Sequence, residues 1–184
     1  MTEQADLLLI EIEEKMEKSL EGTINEYHTI RTGRAHPALL EGILVEYYGV
    51  DTPIKQISSI TVPEGNQLYI KPYDKTVLKK LEYAIGTSQL GLTPQNDGVG
   101  IRLILPKLTE ERRKELAKEV EKLQEKGKVS IRNIRREGND QMKKISLPED
   151  LEFKYINDVQ ELTDTYTVKV EEATKNKIEE IMAI

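Results

Sequence analysis

The chain has 184 residues, 38% hydrophobic and 33% charged, with 27 Lys and Arg against 33 Asp and Glu for a formal net charge of −6. One ordinary domain or two small ones fit that length, and charge above the roughly one quarter usual for soluble domains, in register with apolar residues, excludes disorder and points to long solvated helices. Cysteine is absent, which excludes disulfides and thiolate chemistry. The N-terminal MTEQADLLLIEIEEKMEK lacks the basic start and apolar run of a signal peptide, and no segment approaches membrane-spanning length, so a cytoplasmic protein is expected.

Residues 2–30 predict one amphipathic helix, with Leu9, Ile12, Met16, Leu20, Ile24, Tyr27 and Ile30 on one face and Thr2 as its N-cap. Between 38 and 106 charge thins while Gly, Pro, Thr, Ile, Val and Tyr rise. GILVEYYGV (42–50), QISSITVP (56–63), QLYIKPY (67–73) and GIRLILP (100–106) predict strands, and KTVLKKLEYAIGTSQ (75–89) a short helix. Asn96-Asp97-Gly98 is a turn signal feeding the last strand. Thr109 then caps a helix to about residue 145, with the seam Leu116, Val120, Leu123, Gly127, Ile131, Ile134, Gly138, Met142 and Ile145, a near-heptad spacing. LPED (147–150) turns the chain into a third helix, with Pro148 at its first position. Its seam is Tyr155, Val159, Leu162, Tyr166, Val170, Ala173 and Ile181.

Three long apolar seams cannot remain in water, and packing them together as a bundle satisfies all three within one chain, which predicts a monomer. The predicted fold is α+β in two domains. Residues 1–31 and 107–184 form the three-helix bundle, and 32–106 a small β/α/β domain inserted between its first two helices. Two short crossings join them, a geometry that predicts a hinge.

TIRTGRAHPALL (29–40) could be a phosphate loop or a helix end. Gly33 follows a helix and has no second glycine at Walker spacing, so a left-handed residue at the helix C-terminus is the better reading, with Arg31 favourable to the helix dipole.

The stretch KGKVSIRNIRREGNDQMKK (126–144) holds seven cations and two acids, +5 within a chain of −6. At about 100° per residue, Lys128, Arg132, Arg135, Arg136 and Lys143 fall in a sector of about 100° beside the seam, with no anion among them. A solvated surface is one reading. The other is a face for polyanions, with Arg forks presented at helical intervals; the lack of aromatics disfavours base stacking and favours phosphates of folded RNA. No catalytic pattern accompanies it. His28 and His36 are isolated, no G-x-S-x-G or calcium loop occurs, and no enzyme activity, metal, cofactor or small-molecule substrate is expected.

IRTGRAHPALLEGILVEYYG (30–49), SQLGLTPQNDGVGIRLILPKLTEERRKEL (88–116) and VSIRNIRREGND (129–140) together resemble the ribosome recycling factor family of bacterial type, in order and over essentially the whole chain. The resemblance implies an L-shaped pair of domains on a two-stranded hinge, here Thr32, Gly33, Arg34, Ala35 and on to Pro37, with Leu105, Pro106, Lys107 and Leu108. It implies a non-catalytic lever that binds the post-termination ribosome and helps elongation factor G, with its GTP hydrolysis, to split the subunits. Arg132 and Arg135 would carry the contacts to large-subunit ribosomal RNA. Lys128 and Arg136 share their flank, and Arg31, Arg34 and Arg113 would either touch RNA or support the hinge. The family often has alanine where Gly138 stands, so the second bundle helix is either more pliable here or packed closer to a neighbour. The competing class is a coiled-coil adapter or chaperone that holds partner proteins and ignores ribosomes.

Overall fold

The computed structural model describes residues 2–183. The chain forms two compact units, one built from the sequence up to Arg31 and from Thr109 onward, the other from Thr32–Leu108.

The first unit is a bundle of α1 (Thr2–His28), α4 (Glu110–Lys144) and α5 (Glu149–Met182), each packed on the other two. Thr109 caps α4 by accepting the Arg112 N–H at 3.1 Å, with Glu110 and Glu111 in the first turn. Two sequence-based boundaries shift. Thr2 is the first helical residue of α1 rather than its cap, and Pro148 precedes α5 instead of opening it. Helix α1 ends at His28, because the amides of Thr29 and Ile30 bond back three residues, to Glu26 O and Tyr27 O, and tighten the last turn.

The buried positions recur at eleven residues, not seven. Ala5, Met16 and Tyr27 in α1, Leu116, Gly127 and Gly138 in α4, and Tyr155, Tyr166 and Lys177 in α5 are each eleven apart. Eleven residues in three turns is 3.67 per turn, close to the 3.6 of a straight helix, so the seams stay opposed without a left-handed supercoil. The near-heptad reading is corrected accordingly. Thr163 and Thr174 are buried on α5, where the sequence placed Leu162 and Ala173. The threonine hydroxyls are satisfied by Val159 O at 2.9 Å and Val170 O at 2.7 Å.

The two seam glycines have a steric reason. A Cβ on Gly127 would lie 2.7 Å from Thr23 Oγ1, and one on Gly138 would lie 2.6 Å from Ile12 Cδ1. Both face α1, so α4 is packed closer to its neighbour at these points.

The second unit has its own core. Strands β1 (Leu44–Tyr47) and β2 (Val50–Pro53) form a hairpin, so the predicted strand 42–50 is broken at Tyr48-Gly49, both with positive φ. A single turn, α2 (Ile54–Ile57), follows. Strands β3 (Ser58–Glu64), β4 (Gln67–Pro72), β5 (Gln95–Asn96) and β6 (Ile101–Ile104) make an antiparallel sheet in the order β3-β4-β6-β5. Leu68 and Ile70 of β4 and Ile101 and Leu103 of β6 alternate inward, meeting Leu78, Leu81 and Ile85 of α3 (Leu78–Gly86). The Asn96-Asp97-Gly98 turn is closed by its side chains: Asp97 Oδ1 accepts the amides of Val99 and Gly100, and Asn96 Oδ1 accepts that of Gly98.

Both connecting segments are stitched to the turn between β3 and β4. Ala35 N bonds Gly65 O at 2.8 Å and Leu105 N bonds Asn66 O at 2.8 Å, and Ala35 and Leu105 are buried in the small unit's core. Gly33 has the expected left-handed backbone, φ +74°, but it caps no helix. It lies five residues past the end of α1, where a Cβ would approach Pro106 O to 3.2 Å.

Candidate nucleic-acid interface

Charge in the bundle is segregated by helix. Helix α1 carries eight acids and two lysines, α5 ten acids and four lysines, and α4 twelve cations and eight acids. The helices are therefore −6, −6 and +4. On the α1–α5 side lies an open cleft of about 290 Å³ lined by Leu9, Glu13, Asp158, Glu161, Leu162 and Thr165, a wall that repels polyanions. Beside it the Tyr166 hydroxyl is hydrogen-bonded to Glu17, with Glu13 adjacent; burial first, then those carboxylates, push its pKa up to about 12. Of the three bundle helices, only α4 carries net positive charge.

The downstream half of α4 holds the five cations on one flank because a single unbroken helix runs from 110 to 144. Two of them are paired with carboxylates. Lys128 Nζ lies 2.8 Å from Glu171 Oε1 of α5. Arg132 Nη2 donates to Glu125 Oε1 at 2.6 Å, and its Nε points back to the Lys128 carbonyl at 3.4 Å. Arg135 Nη1 donates to Gln160 Oε1 at 3.4 Å, and Gln160 in turn donates to Asp164 Oδ1 at 2.9 Å. Arg136 and Lys143 are exposed, and neither is in an ion pair among the described residues. The absence of anions on this flank is thus corrected. Glu125 stands seven residues before Arg132, about 20° away round the helix, and extending the helical wheel two turns upstream finds it. Glu171 and Gln160 needed the register of α4 against α5, which no local pattern contains.

The other candidates are more scattered. Arg31 is exposed just past α1 and Arg34 is exposed in the small unit. Arg113 sits in the first turn of α4, half-buried, and its Nε is buried with no hydrogen-bond partner. The histidines divide. His28 ends α1, while His36 Nδ1 accepts the Ala38 amide at 3.0 Å and caps the 3-10 turn Pro37–Leu40. Among the described residues no three His, Asp or Glu side chains group to hold a metal ion, and no helix is long and apolar enough to cross a membrane.

Fold and flank define a class: a two-unit α+β protein whose longest helix offers a row of cations between two acidic neighbours. Comparison with known proteins narrows it. The family model of the ribosome recycling factor matches residues 23–182. The ribosome-recycling factor of Acholeplasma laidlawii is 61% identical over 184 residues, covering 100% of both chains. That of Bacillus subtilis is 49% identical over 181 residues, covering 96% of this chain and 98% of its own. A ribosome recycling factor structure determined in solution superposes with a TM-score of 0.79 at 38% identity over 98% of each chain. The T. thermophilus ribosome recycling factor, in models with the E. coli elongation factor G bound to the E. coli post-termination complex, aligns with a TM-score of 0.62 at 40% identity, over 97% of this chain and 99% of that one. The chain belongs to the ribosome recycling factor family, a family of factors and not of enzymes.

Proposed function

We propose that this chain binds the post-termination ribosome in the cytoplasm, as a monomer, and works with elongation factor G and its GTP hydrolysis to separate the subunits. The observation that carries the reading is the segregation of charge, +4 on α4 against −6 on each neighbour, within a chain of this family. The bundle anchors through phosphate contacts on large-subunit ribosomal RNA. Arg132 and Arg135 are central, Lys128 and Arg136 flank them, and Arg31, Arg34 and Arg113 extend the contact toward the junction or support it. The chain itself breaks no covalent bond; it supplies a lever, with a pivot in the crossings 32–37 and 105–108. Ala35 and Leu105 are tied into the small unit's core, so the give is assigned to residues on the bundle side of them, Thr32–Arg34 and Pro106–Leu108.

Ribosome co-sedimentation at low and raised salt tests the anchor. Four phosphate contacts, one for each α4 cation named, release counterions, so affinity falls on the order of a hundredfold between 50 and 200 mM salt. Arg132→Glu/Arg135→Glu is expected to abolish pelleting while leaving the thermal melt near the parent's, because Arg132 is only half-buried and Arg135 makes one long hydrogen bond. A parent that never pellets removes the RNA reading and leaves a protein adapter.

A further inference from the structure

Two of the cations assigned to RNA are already engaged by carboxylates. Glu171 reaches Lys128 from α5 at 2.8 Å, and Glu125 reaches Arg132 along α4 at 2.6 Å. Arg132 is folded back toward the N-terminus of its own helix, since its Nε also points to the Lys128 carbonyl. A carboxylate oxygen at these distances from an ammonium or guanidinium nitrogen sits where a phosphate oxygen sits in a charge-assisted pair. The arrangement matters because both carboxylates remain solvent-accessible, with side-chain exposures of 63% for Glu125 and 48% for Glu171.

We infer that Glu125 and Glu171 are internal competitors for the RNA phosphates, holding Arg132 and Lys128 in the free chain and setting how readily the factor leaves RNA. The inference rests on the proposed RNA anchor. Binding is then an exchange in which each cation gives up a carboxylate to take a phosphate. The displaced carboxylate stays tethered a few ångströms away and repels the incoming anion. Net neutralisation is smaller than the four α4 cations suggest, and the salt dependence is shallower. A factor that must leave each ribosome to act on the next gains from a weaker grip, provided the contacts still orient it. The opposite sign is equally concrete: if the carboxylates only hold the cations in position, removing them disorders the flank and weakens binding.

Glu125→Gln/Glu171→Gln separates the two. Both side chains are exposed and the change is isosteric, so the fold is not at stake. Equilibrium binding of fluorescently labelled chain to purified vacant ribosomes, over a salt series, gives affinity and slope. Chase with unlabelled chain gives the dissociation rate. Two exposed pairs and their repulsion together predict about tenfold tighter binding, with dissociation slowed about as much. They also predict a salt slope steeper by about one to two. Glu14→Gln/Glu21→Gln, the same charge change on α1, is expected to shift affinity by less than about twofold. Unchanged or weaker binding by the Glu125/Glu171 variant, or equal tightening by the α1 control, overturns the inference. A parent that does not bind at all instead overturns the RNA anchor itself.

Discussion

Tyr166 shows how one side chain ties the acidic face to the core. It is 4% exposed, its hydroxyl rests against Glu17 and Glu13, and Lys169 Nζ stands 4.7 Å over its ring. A phenol of ordinary pKa near 10 loses its proton first in the unfolded chain, while the folded one holds it to about 12. The linked stability is therefore complete below pH 10 and is lost as pH rises from 10 toward 12. Tyr166→Phe removes the hydroxyl and its linkage together. At pH 8 it is expected to cost about 1 kcal/mol, the worth of one hydrogen bond. From pH 10 upward the gap between parent and variant should close, read as urea midpoints. A gap that stays constant to pH 12 means the hydroxyl is not held as described. Its seam position was legible from spacing; the carboxylates around it, brought by a different helix, were not.

At the scale of elements, the three long helices and their seams follow from apolar spacing alone. Positions such as Thr163, Thr174 and Lys177 did not, because a threonine buries its methyl only when its hydroxyl can return to its own helix backbone, and Lys177 is buried with Glu180 at 3.5 Å. The strands were legible as a group, but the hairpin β1–β2 and the one-turn α2 were fused or missed. Tyr48 adopts φ 48°, which its residue type does not announce. Gly127 and Gly138 show local propensity and packing pulling in opposite directions. Alanine at 138 gains about 1 kcal/mol of helix propensity, but its Cβ would meet Ile12 Cδ1 at 2.6 Å in a core where Ile12 is 2% exposed. Overpacking costs about 1–3 kcal/mol, so Gly138→Ala is expected to be neutral to destabilising by up to about 2 kcal/mol. Ile12→Val removes the Cδ1 methyl and costs about 1 kcal/mol alone. The double variant should be more stable than the two single changes summed, by about 1 kcal/mol in a denaturation cycle. Additive losses would show that the α1–α4 distance, not that methyl, requires the glycine.

At the scale of the whole molecule, the chain folds as two units with separate cores, and it passes from one to the other near 31–32 and 108–109. On the function proposed above, phosphate contacts hold the bundle and the crossings must yield for the small unit to move as a body. Gly33 is the residue on which that proposal turns, since it combines a left-handed backbone with close approach to Pro106 O in the returning segment. Gly33→Ala places a Cβ where an L-residue pays about 1–2 kcal/mol and where the carbonyl 3.2 Å away must give. The basic flank of α4 is untouched by that change, so ribosome binding should stay within about twofold of the parent at matched salt. Subunit splitting with elongation factor G should fall by about tenfold, because about 1.4 kcal/mol of strain at the pivot enters the conformational step rather than the anchor. Light scattering of subunit separation and co-sedimentation, run on the same preparations, measure the two quantities. Equal losses in both would place Gly33 in the anchor or in the stability of the small unit, and would remove the pivot from the 32–34 segment.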